Sequence, residues 1–353
     1  MTLKEVARLA GVSPSAVSRF LNGGPLSAEK SAAIRAVVQR TGYLPNQAAH
    51  TLRTGRVRQV GVLVPRIHSE AVSKVTAGIA ETLERRAYLP VLGSTGRDPA
   101  REERYLDMMR AYHVAGLIVM CTMDDMEPVY RRCALPLVLT GQRFSGLNCV
   151  YHDDYGAMGE LARRFIERGR RRIVYISVDP RDASVARERL RGARDALRGA
   201  GLLRDIPGEA EASAGSAYRE DSIAAYREDL AGRDGLPVAV SGFDWRGGCE
   251  AMRRLLEACP DADAVLCATD TIALGAMICL REAGRRVPED ISVAGVGDDW
   301  ADLVSHPPLT AAQLDQFRCG REAASILLDL LENPEAEPKE VRLGYTVVDR
   351  GTV

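Results

Sequence analysis

The sequence predicts a two-part chain: an N-terminal all-α helix-turn-helix headpiece, followed by an α/β region of two doubly wound lobes. Three observations predict this fold class. The net charge divides unevenly, since residues 1–58 carry +7 and the remaining residues carry −8. The first 44 residues show helical spacing of apolar side chains around glycine turns, and the later residues alternate short apolar runs with amphipathic stretches. The basic N-terminal part fits a polyanionic partner, because Lys and Arg that neutralise phosphates release condensed counterions.

The overall composition is that of a soluble globular protein longer than one average domain. Of 353 residues, 46% are hydrophobic and 27% are charged. The eight cysteines are scattered without a CxxC pair, and no histidines stand at zinc-ligand spacing, so we expect reduced cysteines and no metal site. Met1 leads into polar residues without an apolar signal region, and no run approaches the ~18 apolar residues of a membrane span. We therefore expect a cytoplasmic protein.

Glycines and serines delimit three predicted helices in the headpiece. Gly11 permits a turn after the first helix, and Ser13 caps the second helix, with Pro14 at its first position. Ser27 caps a third helix that ends at Gly42. The apolar residues that we expect on the inner faces are Leu3, Val6, Ala7, Ala10, Val17, Leu21, Ile34, Val37 and Val38. The first two helices form a helix-turn-helix, although two helices alone are equally compatible with a structural hairpin in a larger domain.

Two segments of the N-terminal part, VSPSAVSRFLN and TGYLPNQAAHTLRTGR, resemble the lactose/galactose repressor family of transcriptional regulators. The resemblance implies that the second helix enters the major groove of DNA. It also implies that the residues after the Pro-Asn pair form a hinge helix in the minor groove. The implied domains are a helix-turn-helix at 1–45, a hinge helix and linker at 46–58, and an effector-binding and dimerisation domain at 59–353.

Carried over by position, the resemblance assigns base reading to Pro14, Ser15 and Arg19 and a minor-groove wedge to Leu52. The Arg19 guanidinium suits this role, because it can donate two hydrogen bonds to O6 and N7 of guanine; a phosphate contact is the alternative. Pro14 offers bases only an apolar surface, where many family members have larger polar side chains. Leu52 can kink a base step, as apolar wedges do, or pack within a linker. The other predicted DNA-binding residues have short polar side chains suited to phosphates or the hinge: Ser18, Asn22, Ser27 and Asn46.

From Val60 onward, about ten short apolar runs alternate with amphipathic helical stretches. The runs include VGVLVP, LPVLGS, AGLIVM, LPLVLT, IVYISV, PVAVSGF, DAVLCATD and ISVAGV. This alternation predicts parallel sheets with helices on both faces, and ten strands exceed what one compact sheet usually needs. We expect two lobes across a cleft, with ligand groups at the carboxyl ends of strands. The segments VYHDDYGA, ATDTIALGAM and VPEDISVAGVGDD resemble the effector domain of the same family, whose lobes have the periplasmic sugar-binding fold.

The resemblance also suggests effector ligands. Arg189 stands three residues before Gly192, where the family places an arginine that hydrogen-bonds effector hydroxyls. Asp270 can bind the effector or cap its helix, and Thr269 beside it is a cleft position. Trp245 and the nearby Phe243 can stack on a sugar ring or belong to the rim or core. The remaining predicted effector residues are Arg66, Ser69, Gln142 and Asp298.

Two positions leave the chemistry of the effector open. The family often has a ligand-binding aspartate where this chain has Gly297, so either Asp298 takes that role or the cleft recognises a different sugar. Arg66 follows a strand end, which favours a sugar phosphate, as in members that resemble the trehalose repressor. A neutral sugar is the alternative.

We expect a repressor of carbohydrate-utilisation genes that binds palindromic operator DNA as a homodimer and responds to a sugar or sugar phosphate. The alternative is a corepressor-activated regulator of non-sugar metabolism, such as that of nucleobases. Terminal leucine heptads, which would join dimers into tetramers, are not found.

Two other classes of protein explain the sequence less well. No GxGxxG follows a strand, no P-loop motif occurs, and the five histidines suggest no triad, so we expect no enzyme activity, catalytic residue or cofactor. A periplasmic transport receptor would leave residues 1–58 unexplained.

Overall fold

The structure is a computed structural model that describes residues 1–21, 24–43, 57–204, 229, 234–297 and 299–353. The chain divides into two compact units, Met1–Val57 and Arg58–Val353, and each is described by itself. Four predicted site residues lie outside the described residues: Asn22, Asn46, Leu52 and Asp298.

The first unit contains the three predicted helices, Leu3–Leu9, Pro14–Leu21 and Ala28–Thr41. The Ser13 hydroxyl accepts a hydrogen bond from the Ala16 amide at 3.2 Å, which caps the second helix. Gly11 and Gly42 have φ of +65° and +63°, a left-handed conformation in which glycine lacks the Cβ penalty. The core residues are Val6, Ala7, Val17, Ile34, Val37 and Tyr43. The predicted cap, turns and helix order are confirmed.

The second unit contains two six-stranded sheets, one in each lobe. The first lobe contains β1 (Gln59–Val64), β2 (Leu89–Ser94), β3 (Gly116–Met120), β4 (Leu137–Thr140), β5 (Cys149–His152) and β11 (Glu340–Leu343). The second lobe contains β6 (Ile173–Ser177), β7 (Val238–Val240), β8 (Ala264–Cys267), β9 (Ser292–Val296), β10 (Thr310–Leu314) and β12 (Tyr345–Val348). The strand orders are β2-β1-β3-β4-β5-β11 and β7-β6-β8-β9-β10-β12, and β10–β12 is antiparallel while the other pairs of named strands are parallel. The predicted pair of doubly wound lobes is confirmed.

Helices cover the sheets of both lobes. The described helices of the first lobe are Glu70–Glu84, Pro99–Ala111, Glu127–Arg131 and Gln316–Glu332, with a 3₁₀ turn at Asp124–Met126. Those of the second lobe are Asp154–Glu167, Arg189–Gly199, Trp245–Ala258, Asp270–Glu282 and Ala301–Val304, with a π-helical turn at Ala183–Glu188. Each apolar cluster of the described second unit belongs to one lobe, so the lobes have separate cores.

The chain passes between the lobes three times, after β5, after β10 and between β11 and β12. These crossings return the helix Gln316–Glu332 and β11 to the first lobe, and no pattern in the sequence predicts them. The segment VRLGYTVVDR forms two strands in different sheets, which separate at Gly344. Strands β10 (TAAQL) and β5 (CVYH) escaped prediction because neither is a continuous run of aliphatic residues.

Glycines allow helices of the same lobe to pack backbone against backbone. A Cβ at Gly320 would lie 2.0 Å from the carbonyl oxygen of Val75, and a Cβ at Gly78 would lie 2.1 Å from that of Phe317. In the second lobe, a Cβ at Gly192 would lie 2.1 Å from the Tyr155 carbonyl oxygen. No side chain fits at these crossings, so the glycines set how closely the helices approach.

Replacing Gly320 with alanine is expected to lower the free energy of unfolding of the second unit by about 1–3 kcal/mol, because the added methyl group must push two helices apart. Urea unfolding followed by circular dichroism measures this. Gly199→Ala is the matched control, since a Cβ at this helical glycine meets nothing within 4 Å and is expected to leave stability equal or higher. Wild-type stability in Gly320→Ala would contradict the close crossing.

Candidate functional site

The second helix of the headpiece presents the predicted base-reading residues on its outer side. Pro14, Ser15 and Arg19 are exposed and Ser18 is half-buried, whereas Val17 faces the core. The stem of Arg19 lies against Gly24: a Cβ at Gly24 would be 2.7 Å from Arg19 Cγ. The Gly24 amide also donates to the Arg19 carbonyl oxygen at 2.9 Å. A glycine after the helix therefore positions the arginine stem.

Ser27, the predicted phosphate ligand at the start of the third helix, is exposed and caps that helix. Its hydroxyl accepts a hydrogen bond from the Lys30 amide at 3.5 Å. A capping hydroxyl retains a proton to donate, so the cap and a phosphate contact are compatible.

The second unit holds a cavity of about 170 Å³ between the carboxyl ends of strands from both lobes. In each lobe the strand order reverses at one strand, β1 between β2 and β3 and β6 between β7 and β8. Ligands of open α/β sheets bind at such switch points. The cavity is lined by residues that follow these strands, including Arg66 after β1 and Asp182 after β6.

The structure brings five of the eight predicted effector residues to this cavity: Arg66, Ser69, Arg189, Thr269 and Asp270. Phe243, considered with Trp245, also lines it.

The structure places two predicted effector residues, Gln142 and Trp245, away from the cavity. Gln142 is buried outside the lining, whereas the backbone of Gly141 before it contributes to the wall. Trp245 starts its helix with 44% exposure and lies outside the lining, under the guanidinium of Arg246 at 4.7 Å.

Arg189 is held in one orientation at the wall of the cavity. Its Nε donates to Asp154 Oδ1 at 2.7 Å, and its Nη2 lies 2.6 Å from the same oxygen. Nη1 donates to the carbonyl oxygen of Ala268. Both charged side chains are nearly buried, and a guanidinium carries five N–H donors, so donors remain for ligand oxygens. The Arg189 guanidinium is therefore held in a fixed orientation at the cavity wall.

The carboxylate of Asp270 occupies the space that a side chain at position 297 would need. A Cβ at Gly297 would lie 1.9 Å from Asp270 Oδ2. The Asp270 carboxylate accepts hydrogen bonds from the Thr271 amide at 2.6 Å and the Asp299 amide at 3.2 Å. Burial raises the pKa of Asp270. The chain therefore has glycine at position 297, where the family often has aspartate, and the carboxylate of Asp270, at the end of the neighbouring strand, occupies the space that the missing side chain would fill.

The capping alternative for Asp270 is corrected by the structure. Thr269 is the N-cap of the helix Asp270–Glu282, and its hydroxyl accepts from the Ile272 amide at 3.2 Å. Asp270 is the first residue of the helix and joins the helix to the 297–299 loop.

Several cavity residues were missed by sequence reasoning: Arg97, His152, Asp154, Asp182 and Ser184. His152 ends β5 and Asp154 follows it, and β5 had not been recognised as a strand. Arg97 has a φ of +61°, a backbone conformation that the sequence did not indicate. Burial raises the pKa of Asp182 to about 6, although Arg97 opposes this rise from 3.6 Å away. Burial likewise lowers the pKa of His152.

Polar groups join the two lobes beside the cavity, and we call them the cross-lobe contacts. Arg187 of the second lobe is fully buried, and its Nη2 lies 2.6 Å from Asp124 Oδ2 of the first lobe. The Ser184 hydroxyl donates to the Gly141 carbonyl oxygen at 2.6 Å. Arg66 Nη1 donates to the Phe243 carbonyl oxygen at 3.2 Å. The arrangement of the lobes therefore depends on charged and hydrogen-bonded contacts at the rim of the cleft.

Three family descriptions match the chain. "Bacterial regulatory proteins, lacI family" matches residues 2–46. "Periplasmic binding proteins and sugar binding domain of LacI family" matches residues 58–209, and "Periplasmic binding protein-like domain" matches residues 162–353.

Curated relatives align over nearly the whole chain. The HTH-type transcriptional regulator CelR of Thermobifida fusca is 31% identical over 96% of this chain and 94% of its own length. The ribose operon repressor of Escherichia coli K12 is 29% identical over 99% of both chains.

Two solved structures share the fold along the full chain. The CelR–cellobiose complex is 29% identical with a TM-score of 0.69 and covers 100% of both chains. The Lac repressor dimer bound to operator and the anti-inducer ONPF is 22% identical with a TM-score of 0.83, and the match covers 100% of this chain and 98% of that one.

Within the described ranges, no helix combines the length and apolarity required to cross a membrane.

Asp124→Asn is expected to separate the lobes. The change breaks the ion pair between Arg187 and Asp124, and breaking a buried ion pair costs about 3–5 kcal/mol. Small-angle X-ray scattering of the wild type and the variant measures the radius of gyration, which we expect to rise. Asp290→Asn is the matched control, since it removes the same charge from a pair with Arg286 that lies within the second lobe and outside the cavity lining. Equal radii in Asp124→Asn and the wild type would count against a cross-lobe role for this pair.

Proposed function

The chain belongs to the lacI family of bacterial regulatory proteins and is a DNA-binding transcriptional regulator; from this premise we propose that it is a sugar-responsive repressor. The observation that carries the proposal is the cleft of the second unit, where Arg189, already oriented by Asp154, faces a cavity at the switch points of two α/β lobes. The family's members are regulators, and we propose that this cleft binds its ligand without transforming it.

A sugar suits the chemistry of the lining. Planar guanidinium and carboxylate groups hydrogen-bond paired hydroxyls, and the ring of Phe243 offers an apolar face for sugar C–H groups. Among the relatives, one is named for the ribose operon and a solved one is in complex with cellobiose. The cavity of about 170 Å³ lies below the ~300–1,000 Å³ of sites for drug-sized ligands, which favours a monosaccharide-sized effector in this lobe arrangement.

The regulator acts, in this proposal, as a cytoplasmic homodimer. A two-fold axis matches palindromic half-sites about one helical turn of DNA apart, and two headpieces bind more tightly than one. We place the helix-turn-helix at 1–45, the hinge helix and linker at 46–58 and the effector-binding and dimerisation domain at 59–353. Effector binding shifts the population of lobe arrangements, and operator affinity changes with it.

The proposal is tested by fluorescence anisotropy with DNA from upstream of the protein's own gene, at two salt concentrations and with a panel of sugars and sugar phosphates. We expect tight, salt-sensitive binding that one sugar weakens. If the chain binds the DNA only when a compound is added, the chain is a corepressor-activated regulator and not an inducible repressor. No sequence-specific binding under any condition would overturn the operator function.

Arg19→Ala is expected to weaken operator binding by about 1–3 kcal/mol, roughly 5–150-fold, and to reduce discrimination at a single guanine of each half-site, because a bidentate contact to O6 and N7 is lost. Anisotropy against the operator and single-base variants measures both effects. Arg85→Ala, at an exposed arginine of the effector domain, is the control for the loss of one positive charge. A uniform loss on specific and random DNA, with a smaller salt slope, would make Arg19 a phosphate ligand instead.

Arg189→Gln is expected to leave operator binding intact and to abolish its response to the effector, because the group that is oriented toward ligand oxygens is removed. Titration of the operator complex with the effector sugar measures the response. The matched control is Arg191→Gln, two residues along the same helix, where the guanidinium pairs with Glu188 at 2.5 Å and lies outside the cavity lining. A normal response in Arg189→Gln would exclude it as an effector ligand.

A further inference from the structure

Two helices of the second lobe, Trp245–Ala258 and Asp270–Glu282, cross with their backbones in contact. A Cβ at Gly275 would lie 2.1 Å from the carbonyl oxygen of the first residue of the first helix. A Cβ at Gly248 would lie 2.4 Å from a carbonyl oxygen of the second helix. Helices that pack through side chains lie about 8–10 Å apart, so a crossing through glycines brings the two backbones closer together.

One cysteine of each helix stands beside this crossing. Cys249 directly follows Gly248, and Cys279 stands one helical turn after Gly275. Both are free thiols, and both side chains are nearly buried. Burial first and the neighbouring Cys249 second raise the pKa of the Cys279 thiol to about 11, so the two sulfur atoms are close enough to interact. A disulfide requires Cα atoms about 4.4–6.8 Å apart, which a crossing through glycines allows.

An ion pair between the two helices lies beside the thiols. Arg253 stands one turn after Cys249, and its Nη2 donates to Cys249 Sγ at 3.7 Å. The same nitrogen lies 3.6 Å from Oε2 of Glu282, which follows Cys279 by three residues on the other helix. The side chains of Arg253 and Glu282 are 54% and 61% exposed. The thiols therefore lie one layer beneath the surface, within reach of a small oxidant.

The sulfur of Cys249 has a different environment from that of three other buried cysteines. The thiols of Cys121, Cys149 and Cys319 donate to backbone carbonyl oxygens at 3.5, 3.9 and 3.8 Å. A donated hydrogen bond of this kind holds the sulfur as a neutral thiol, whereas the Cys249 sulfur accepts a hydrogen bond from a cation. The guanidinium can stabilise the negative charge that the sulfur carries when it attacks an oxidant. The environment of Cys249 therefore suits the attacking member of a thiol pair.

We propose that Cys249 and Cys279 form a redox-sensitive pair, which hydrogen peroxide converts to a disulfide. The Cys249 sulfur loses its proton and attacks one peroxide oxygen; the O–O bond breaks, Cys249 becomes a sulfenic acid, and the other oxygen leaves as water. The Cys279 sulfur then loses its proton and attacks the Cys249 sulfur; the S–O bond breaks, and a second water leaves. The two thiols are oxidised by two electrons, and the peroxide is reduced to two waters. In a reducing compartment such a disulfide is transient, as in proteins that sense oxidants.

Intact mass spectrometry of the full chain after exposure to hydrogen peroxide tests the disulfide. We expect the mass to fall by two hydrogen atoms, dithiothreitol to reverse the change, and peptide mapping to give one peptide that links Cys249 to Cys279. Cys133→Ser is the matched control, since it removes a half-buried thiol of the first lobe, and it is expected to keep the mass decrease. Addition of oxygen without loss of hydrogen, or a linkage between other cysteines, would overturn the pair.

Serine variants distinguish the attacking thiol from the resolving thiol. In Cys279→Ser the sulfenic acid on Cys249 has no thiol partner, so we expect dimedone, added with the peroxide, to label Cys249. In Cys249→Ser we expect no label on Cys279. Serine is close to cysteine in size, and circular dichroism checks that both variants fold as the wild type does. A label on Cys279 in Cys249→Ser, or an unlabelled Cys249 in Cys279→Ser, would contradict the assigned roles.

Arg253→Gln is expected to slow disulfide formation roughly 2–5-fold, which is the scale of a partly exposed charge interaction. Quenching with N-ethylmaleimide at timed intervals, followed by intact mass, measures the rate. Arg246→Gln is the matched control, since it removes an arginine of the same helix whose guanidinium lies over the Trp245 ring. We expect the wild-type rate in this control. A wild-type rate in Arg253→Gln would contradict the role of its guanidinium in the attack.

Discussion

The polar contact between the two lobes is the constraint on which the rest of the second unit depends. Each described apolar cluster lies within one lobe, and Arg187 with Asp124, Ser184 with Gly141 and Arg66 with Phe243 join the lobes. When the lobes separate, polar groups replace their contacts with hydrogen bonds to water, so the net free-energy cost is small. Separating an apolar interface would cost more, because it exposes buried apolar area to water. Two arrangements of the lobes can therefore differ by only a few kcal/mol, which is the range that a small ligand can shift.

The same contacts explain why the cleft is both a binding site and a switch. The cross-lobe groups lie beside the residues that face the cavity, so a ligand between the lobes changes the free energy of their contact directly. Arg189 and Asp154 both belong to the second lobe and contact each other directly, whereas Arg66 and Phe243 come from opposite lobes and are in contact across the cleft. In the proposed function, the ligand binds first-formed contacts on the second lobe and thereby shifts the position of the first lobe.

Much of the fold was predictable from the sequence because it follows from short-range patterns. Ser13, Gly11 and Gly42 delimit the headpiece helices, and alternation of apolar runs and helices predicts the two parallel sheets. The crossings between lobes were not predictable, since Gly344 separates two similar short strands and only tertiary packing sends them to different sheets. In the site, Arg189 and Arg66 were predictable from strand ends and resemblance, whereas Arg97 depends on a positive φ and Asp154 on an unrecognised strand. Gln142 was predicted to line the cavity because it lies just after a strand. The chain turns at Gly141, however, and the Gln142 side chain is buried outside the cavity.

The central claim is that one equilibrium between lobe arrangements is shared by the effector and the operator. Thermodynamic linkage then requires that operator DNA change effector affinity by the same factor by which the effector changes operator affinity. Isothermal titration calorimetry of the effector, with the chain free and with the chain saturated by operator duplex, measures this factor directly. The account predicts an effector affinity that differs between the two states by the factor seen in operator binding. Equal effector affinities for the free and operator-bound chain would contradict it.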